Sequence, residues 1–153
     1  MIATLVAVLG TLAGTIVAGF MQHVTTTRTT RAATAEQRRR ALADAIPALL
    51  AALVRHREQQ YLKIVARRDG LTDTPDTPDT RQARYAARSQ VTSAMDTLHM
   101  TTTDPVLLTL AQEAVNAAMA LGDAPESELD AAGLRARVAH TALRTAGAEH
   151  VYA

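Results

Sequence analysis

The chain has 153 residues, no Cys, no Trp, one Phe and three Tyr, and a formal net charge of +1. Without Cys, disulfide frameworks, thiolate nucleophiles, Cys-ligated zinc and most iron–sulfur clusters are excluded, and so few aromatics leave little to stack on bases or sugars. The length suits one modest domain, and 32 Ala with few β-branched runs predict an all-α fold.

The small net charge hides a direction along the chain. Residues 1–21 carry no charged side chain, residues 22–68 hold ten Arg and Lys against three acids, and residues 69–153 hold six Arg against twelve acids. The first segment, Ile2 to Met21, has no charge, no Pro, no Asn and no Gln. A helix rises about 1.5 Å per residue, so a run of this length spans the roughly 30 Å hydrocarbon core. Nine of its residues are Ile, Leu, Val or Phe, which favours insertion by roughly 3 to 5 kcal/mol on scales where each contributes about 0.3 to 0.6 kcal/mol. A cleaved signal peptide would want a basic start and a small-x-small site, and Phe20-Met21-Gln22-His23 offers neither. A buried core helix would be shorter and apolar on one side only. Residues 1–22 are therefore expected to form a transmembrane helix.

Within that run Ala3, Ala7, Gly10, Gly14 and Ala18 recur at spacings of four and three, and form one small-residue stripe that includes a G-x-x-x-G. Such a stripe lets two helix backbones approach closely in lipid, so it is the expected membrane-helix packing face, although an Ala-rich chain also produces such spacings by chance. Arg28, Arg31, Arg38, Arg39 and Arg40 follow on one side of the run only. The positive-inside rule then puts the body in the cytoplasm and the N-terminus outside the plasma membrane. The same arginines lie near anionic lipid, where each is worth about 1 kcal/mol at the surface. Residues 23–40 are expected to be a basic juxtamembrane stalk, and residues 41–153 a cytoplasmic helical domain.

In that domain Leu42, Ile46, Leu49 and Leu53 have helical spacing, broadened by Leu50 and Val54 and resumed by Ile64 and Val65. Pro47 lies inside the pattern and predicts a kink or a break; a break would leave residues 32–45 as stalk and residues 47–67 as the first packed helix. Thr25 to Thr30 is a weak start that suggests a frayed tether. Residues 69–80, with a repeated Thr-Pro-Asp unit, read as an exposed loop. A second helix is expected from about Arg81 to His99, with Ala83, Ala87, Val91, Ala94 and Leu98 on one stripe. Asp104-Pro105 signals the start of a third, apolar at Leu107, Leu108, Ala111, Val115, Ala118 and Met119. Gly122 to Pro125 ends it, and a fourth runs from about Ser127 to Gly147 with Leu129, Leu134, Val138 and Leu143 as its larger apolar residues. Short links predict antiparallel neighbours, hence a small helical bundle with a core of small side chains.

No catalytic constellation is legible. The five His residues, His23, His56, His99, His140 and His150, have no ligand spacing among them and read as groups at the membrane interface or on partly solvated helix faces. There is no Gly-rich phosphate loop and no nucleophile elbow. With one Lys, phosphate contacts would fall to Arg and helix ends, with no loop to present them. No catalytic residue, cofactor or metal is expected. The basic stretch at 28–40 lacks any reading element for nucleic acid, so lipid, not DNA, is its expected partner.

The opening residues Met1 to Gly14, the triplet Arg38-Arg39-Arg40, the stretch from Leu49 to Arg57 with Tyr61, and Arg88-Ser89-Gln90-Val91-Thr92 with the Ala-rich helices after it resemble the small KilB-type proteins of actinobacterial plasmids and genomes. The resemblance is one of pattern and composition over nearly the whole chain, and the Thr-Pro-Asp repeat departs from it. It implies a membrane-anchored, non-enzymatic accessory of conjugative transfer, tied to the spread of plasmid through the mycelium, with no catalytic residue to carry over. The residues themselves leave three readings: a single-span protein acting through self-association or docking on a transfer-apparatus protein, a tethered regulator that binds a small ligand between helices, and an envelope protein with its body outside.

Overall fold

The structure, a computed structural model, describes the backbone of residues 2–68 and 77–152, and the side chains from Thr30 onward except Arg67. Four α-helices follow one another: α1 (Ile2–Arg68), α2 (Pro78–Thr101), α3 (Pro105–Ala120) and α4 (Leu129–Tyr152), with 3-10 turns at Leu121–Asp123 and Glu126–Glu128 between α3 and α4. Among the described residues there is no β-strand. Residues 1–38 form one compact unit and residues 39–153 another.

In the first unit the helix runs unbroken through the Thr-rich stretch at 25–30, where sequence suggested a frayed tether. The hydroxyl of Thr34 donates to the Thr30 carbonyl at 2.9 Å, the back-bonding by which a helical Thr satisfies its own polar group. Among the described residues no helix is long and apolar enough to cross a membrane. The side chains of the expected span and of its packing stripe, Ala3, Ala7, Gly10, Gly14 and Ala18, lie outside the described residues, as does that of Arg28.

In the second unit residues 39–68 of α1 share one core with α2, α3 and α4. Ile46, Leu49 and Leu53 meet Val91 and Leu98 of α2, Leu107, Ala111 and Ala118 of α3, and Leu143 of α4. Pro47 lies inside α1 and does not break it. It is solvent-exposed, so the carbonyl left without a donor can be hydrated, while Ile46 and Leu49 on the other side are buried. Antiparallel packing of α1 and α4 follows from one contact near the end of α4 and one in the 3-10 turn just before its start. Ile46 lies against Gly147, where an added Cβ would stand 2.7 Å from its Cγ2, and Arg68 pairs with Glu126.

α2 starts at Pro78, earlier than expected: the hydroxyl of Thr77 accepts from the Thr80 N–H at 3.2 Å, so the last residues of the expected loop belong to the helix. Residues 69–76 of that loop lie outside the described residues. α3 starts where sequence placed it, with the Asp104 carboxylate accepting from the N–H groups of Val106 and Leu107, both at 2.9 Å.

α4 departs most from expectation. It begins at Leu129 after a 3-10 turn and continues past Gly147 to Tyr152. Leu134 and Val138, two of its larger apolar residues, are 56% and 60% exposed, and the buried face is Leu129, Ala132, Ala136, Leu143 and Gly147. Between Leu129 and Leu143, α4 packs through Ala132 and Ala136, whose small side chains allow close approach, while Leu134 and Val138 are left outside.

One contact ties the end of α4 to the start of α3. His150 Nε2 lies 3.0 Å from Asp104 Oδ2, and Nδ1 lies 2.9 Å from the Ala146 carbonyl. The hydrogen bond to Ala146 and the Asp104 carboxylate raise the His150 pKa above its ordinary 6.5. The two N–H donors of α3 and the bond to His150 hold the Asp104 carboxyl below its ordinary range. The His150 contribution to stability is fully present below pH 6.5 and is lost as pH rises through its raised value. His150→Ala should therefore lower the urea midpoint more at pH 5.5 than at pH 8.5. Equal losses at the two pH values would contradict the pairing.

Candidate functional site

A cleft of about 240 Å3 opens in the second unit between α1, the first turns of α2 and the turn that follows α3. Four of its ten lining residues are Lys or Arg. α2 contributes Arg81, Arg84 and Arg88, whose spacing of three and four residues places them on one face of the helix. α1 contributes Lys63, Gln60 and His56, also at spacings of three and four. Tyr85, Met119 and Gly122 also line it, and among the described residues Asp123 is the one acid in the wall.

The α1 side is held by specific contacts. Lys63 Nζ donates to the Gly122 carbonyl at 3.2 Å, which fixes the 3-10 turn beside the cleft. Gly122 lies close under the Gln60 side chain: an added Cβ would stand 2.3 Å from its Oε1, so the Gln60 amide would have to move. The Gln60 amide lies 3.5 Å from His56 Nε2, and His56 Nδ1 is buried with no hydrogen-bond partner. With Gln60 donating to Nε2, the neutral ring carries its proton on Nδ1, a buried and unused donor.

His56 is 3% exposed, against the sequence expectation of a partly solvated face. Burial pushes its pKa down, and the Arg88 guanidinium pushes it the same way. It is therefore neutral at pH 7. Removing the positive field of Arg88 would ease its protonation.

The α2 side is costly to the isolated helix. Like charges three or four residues apart repel by about 0.2 to 0.5 kcal/mol per pair. Cations near a helix N-terminus also oppose the helix dipole. Arg81 and Arg84 lie in the first two turns of α2.

A second, smaller cationic group lies where α1 meets α4. The Arg57 pKa is lowered by burial and by the neighbouring Arg137 guanidinium. His140 is lowered by burial and then by Arg57 and Arg144, and its Nδ1 is buried without a partner. Val54, Leu134 and Val138 are exposed on the same two helices.

Of the basic residues singled out from sequence, Arg31, Arg38, Arg39 and Arg40 are exposed and none of them lines the cleft. Among the described residues no three His, Asp or Glu are placed to hold a metal ion. The cleft itself was not foreseen, because its members come from three elements far apart in sequence. The available signal was local: three of the six Arg in the acidic half of the chain fall within residues 81–88.

Residues 42–151 match the family model described as KilB plasmid transfer protein. The matched region contains every residue of the cleft and excludes the apolar run. A curated relative, Protein KilB of Streptomyces lividans, is 37% identical over 98 residues, which cover 64% of this chain and 63% of the relative. The match thus spans less than two thirds of the relative's own length. No solved structure matches the chain.

Proposed function

The chain belongs to the KilB plasmid transfer protein family, and from that premise we propose that it is a non-enzymatic accessory of plasmid transfer or spread, held in the plasma membrane by residues 2–21. The observation that carries the anchor is the uncharged, strongly apolar run followed on one side by Arg28, Arg31 and the Arg38-Arg39-Arg40 triplet. That asymmetry favours an outside N-terminus and a cytoplasmic helical domain from residue 41. The small-residue stripe of Ala3, Ala7, Gly10, Gly14 and Ala18 is the membrane face for self-association. The exposed Val54, Leu134 and Val138 support a second contact, with another copy or with a transfer-apparatus protein.

Sidedness is tested with Ser127→Cys. Ser127 is exposed in the 3-10 turn between α3 and α4 and the chain has no other Cys. In cells that still support plasmid transfer, a membrane-impermeant maleimide should label this cysteine only after lysis. Labelling of intact cells would put the helical domain outside.

A second reading, a tethered regulator that binds a small ligand between helices, is favoured by the cleft alone. Its wall supplies convergent polar groups in Lys63, His56, Gln60 and Arg88, which such a site needs to orient a ligand.

A further inference from the structure

We propose that the face where α1 and α4 lie side by side, with Val54, Leu134 and Val138 exposed beside Arg57, Arg137 and Arg144, docks an acidic amphipathic helix of a partner protein. This rests on the docking reading of that face and names the chemistry of its occupant. It needs neither the cleft nor the membrane anchor.

The placement follows from register. Ile46 lies against Gly147 and Arg68 pairs with Glu126. In an antiparallel pair these two contacts bring Arg57 opposite Arg137, and Val54 opposite His140. On α4 Leu134, Arg137 and Arg144 are three and seven residues apart, and Val138 lies one turn beyond Leu134, so all four share one side of the helix. On α1 Val54 and Arg57 are three residues apart and face the same way. Three exposed apolar side chains on neighbouring helices thus flank a cluster of guanidinium groups.

The charge of the cluster has one sign. The Arg57 pKa is lowered by burial and by Arg137, and that of His140 by burial, Arg57 and Arg144, so the neighbouring charges that act on both groups are cations. Among the described residues no carboxylate pairs with Arg57, Arg137 or Arg144. Arg57 is half-buried, so its guanidinium gives up part of its hydration without gaining a counter-ion. A carboxylate supplies what is missing, because its two oxygens match the planar fork of an arginine. Charge complementarity therefore calls for Asp or Glu on the partner, and the exposed Val and Leu side chains call for an apolar stripe beside those acids. A helix with acids three or four residues from its apolar positions presents both on one side.

Other occupants fit less well. A two-fold contact with a second copy through this face would set Arg57, Arg137 and Arg144 against themselves. Membrane-inserting faces carry Trp, Phe or Leu, whereas two of the three apolar residues here are the shorter Val.

The test is site-specific photocrosslinking with Val138→p-benzoylphenylalanine in the full chain, expressed in cells that support plasmid transfer, with the adducts mapped by mass spectrometry. The expected adduct joins position 138 to a helical segment of a partner protein that has Asp or Glu within one turn of the crosslinked residue. Arg137→Glu and Arg144→Glu should each lower its yield about tenfold or more. Arg135→Glu, which lies off that side of α4, should leave it unchanged. Changing the partner's acid to Arg should restore capture by the Arg137→Glu chain. Helical circular dichroism and the melting temperature of each variant separate a lost contact from a lost fold. An adduct with a second copy, or with a protein segment that has no acids, overturns the proposal and leaves the docking reading standing, as does an unchanged yield with Arg137→Glu and Arg144→Glu. Adducts with lipid alone, or none, overturn both.

Discussion

Leu143→Ala should unfold much of the helical bundle's margin of stability, while Leu134→Ala, one face away on the same helix, should leave it nearly unchanged. Leu143 is 0% exposed and joins the core shared by all four helices; Leu134 is 56% exposed. Truncating a buried Leu to Ala costs about 2 to 5 kcal/mol, with the higher values where the surroundings cannot collapse into the hole. Here the surroundings include Ala45, Ala52, Ala111 and Ala114, whose single methyls have no torsional freedom with which to fill it. A domain of this size has about 5 to 15 kcal/mol in total. The melting temperature should therefore fall by about 10 °C or more. A surface change such as Leu134→Ala stays within about 0.5 kcal/mol. Equal effects at the two positions would mean that the register of α4 is wrong.

The second large effect concerns the apolar run. Leu9→Arg places a charge near its centre. On insertion scales an arginine there costs about 2.5 to 3.5 kcal/mol and a leucine contributes about 0.3 to 0.6 kcal/mol in favour. The change of roughly 3 to 4 kcal/mol cancels most of the drive to insert and shifts the partition by about 100- to 1,000-fold. Leu9→Ala at the same place should leave membrane recovery intact. The same pair of variants separates an anchor from a core helix: in a core helix Leu9→Arg would yield aggregated or degraded chain, not a folded soluble one.

Much of the bundle was legible because its boundaries are local. Asp104 followed by Pro105 marks the start of α3 by a cap and a fixed φ, and needs nothing from the rest of the chain. The core positions Ile46, Leu49, Leu53, Val91, Leu98 and Leu107 are large enough to mark a face. α4 was harder because its face is defined by Ala132, Ala136 and Gly147, which carry almost no hydropathy signal. Leu134 and Val138 do carry such a signal but lie on the exposed side. Pro47 was expected to kink or break α1, yet it is exposed within a helix whose opposite side is buried by three others, and tertiary packing outweighs a single missing hydrogen bond.

The functional residues divide in the same way. The basic flank at Arg28, Arg31, Arg38, Arg39 and Arg40 is a contiguous signal and is visible in one dimension. The cleft is not. Lys63 meets the turn at Gly122 across 59 residues, and His56 on α1 lines the same cleft as Arg88 on α2. A search for a Gly-rich loop misses such a site, because here helix faces present the cations in place of a loop.

The measurement that bears most directly on the account is alkaline carbonate extraction of membranes from cells expressing the full chain. The account predicts that the wild-type chain stays in the membrane pellet at high pH and is released only by detergent, while the Leu9→Arg chain moves to the supernatant as a folded helical protein. Recovery of the wild-type chain in the supernatant without detergent would contradict it.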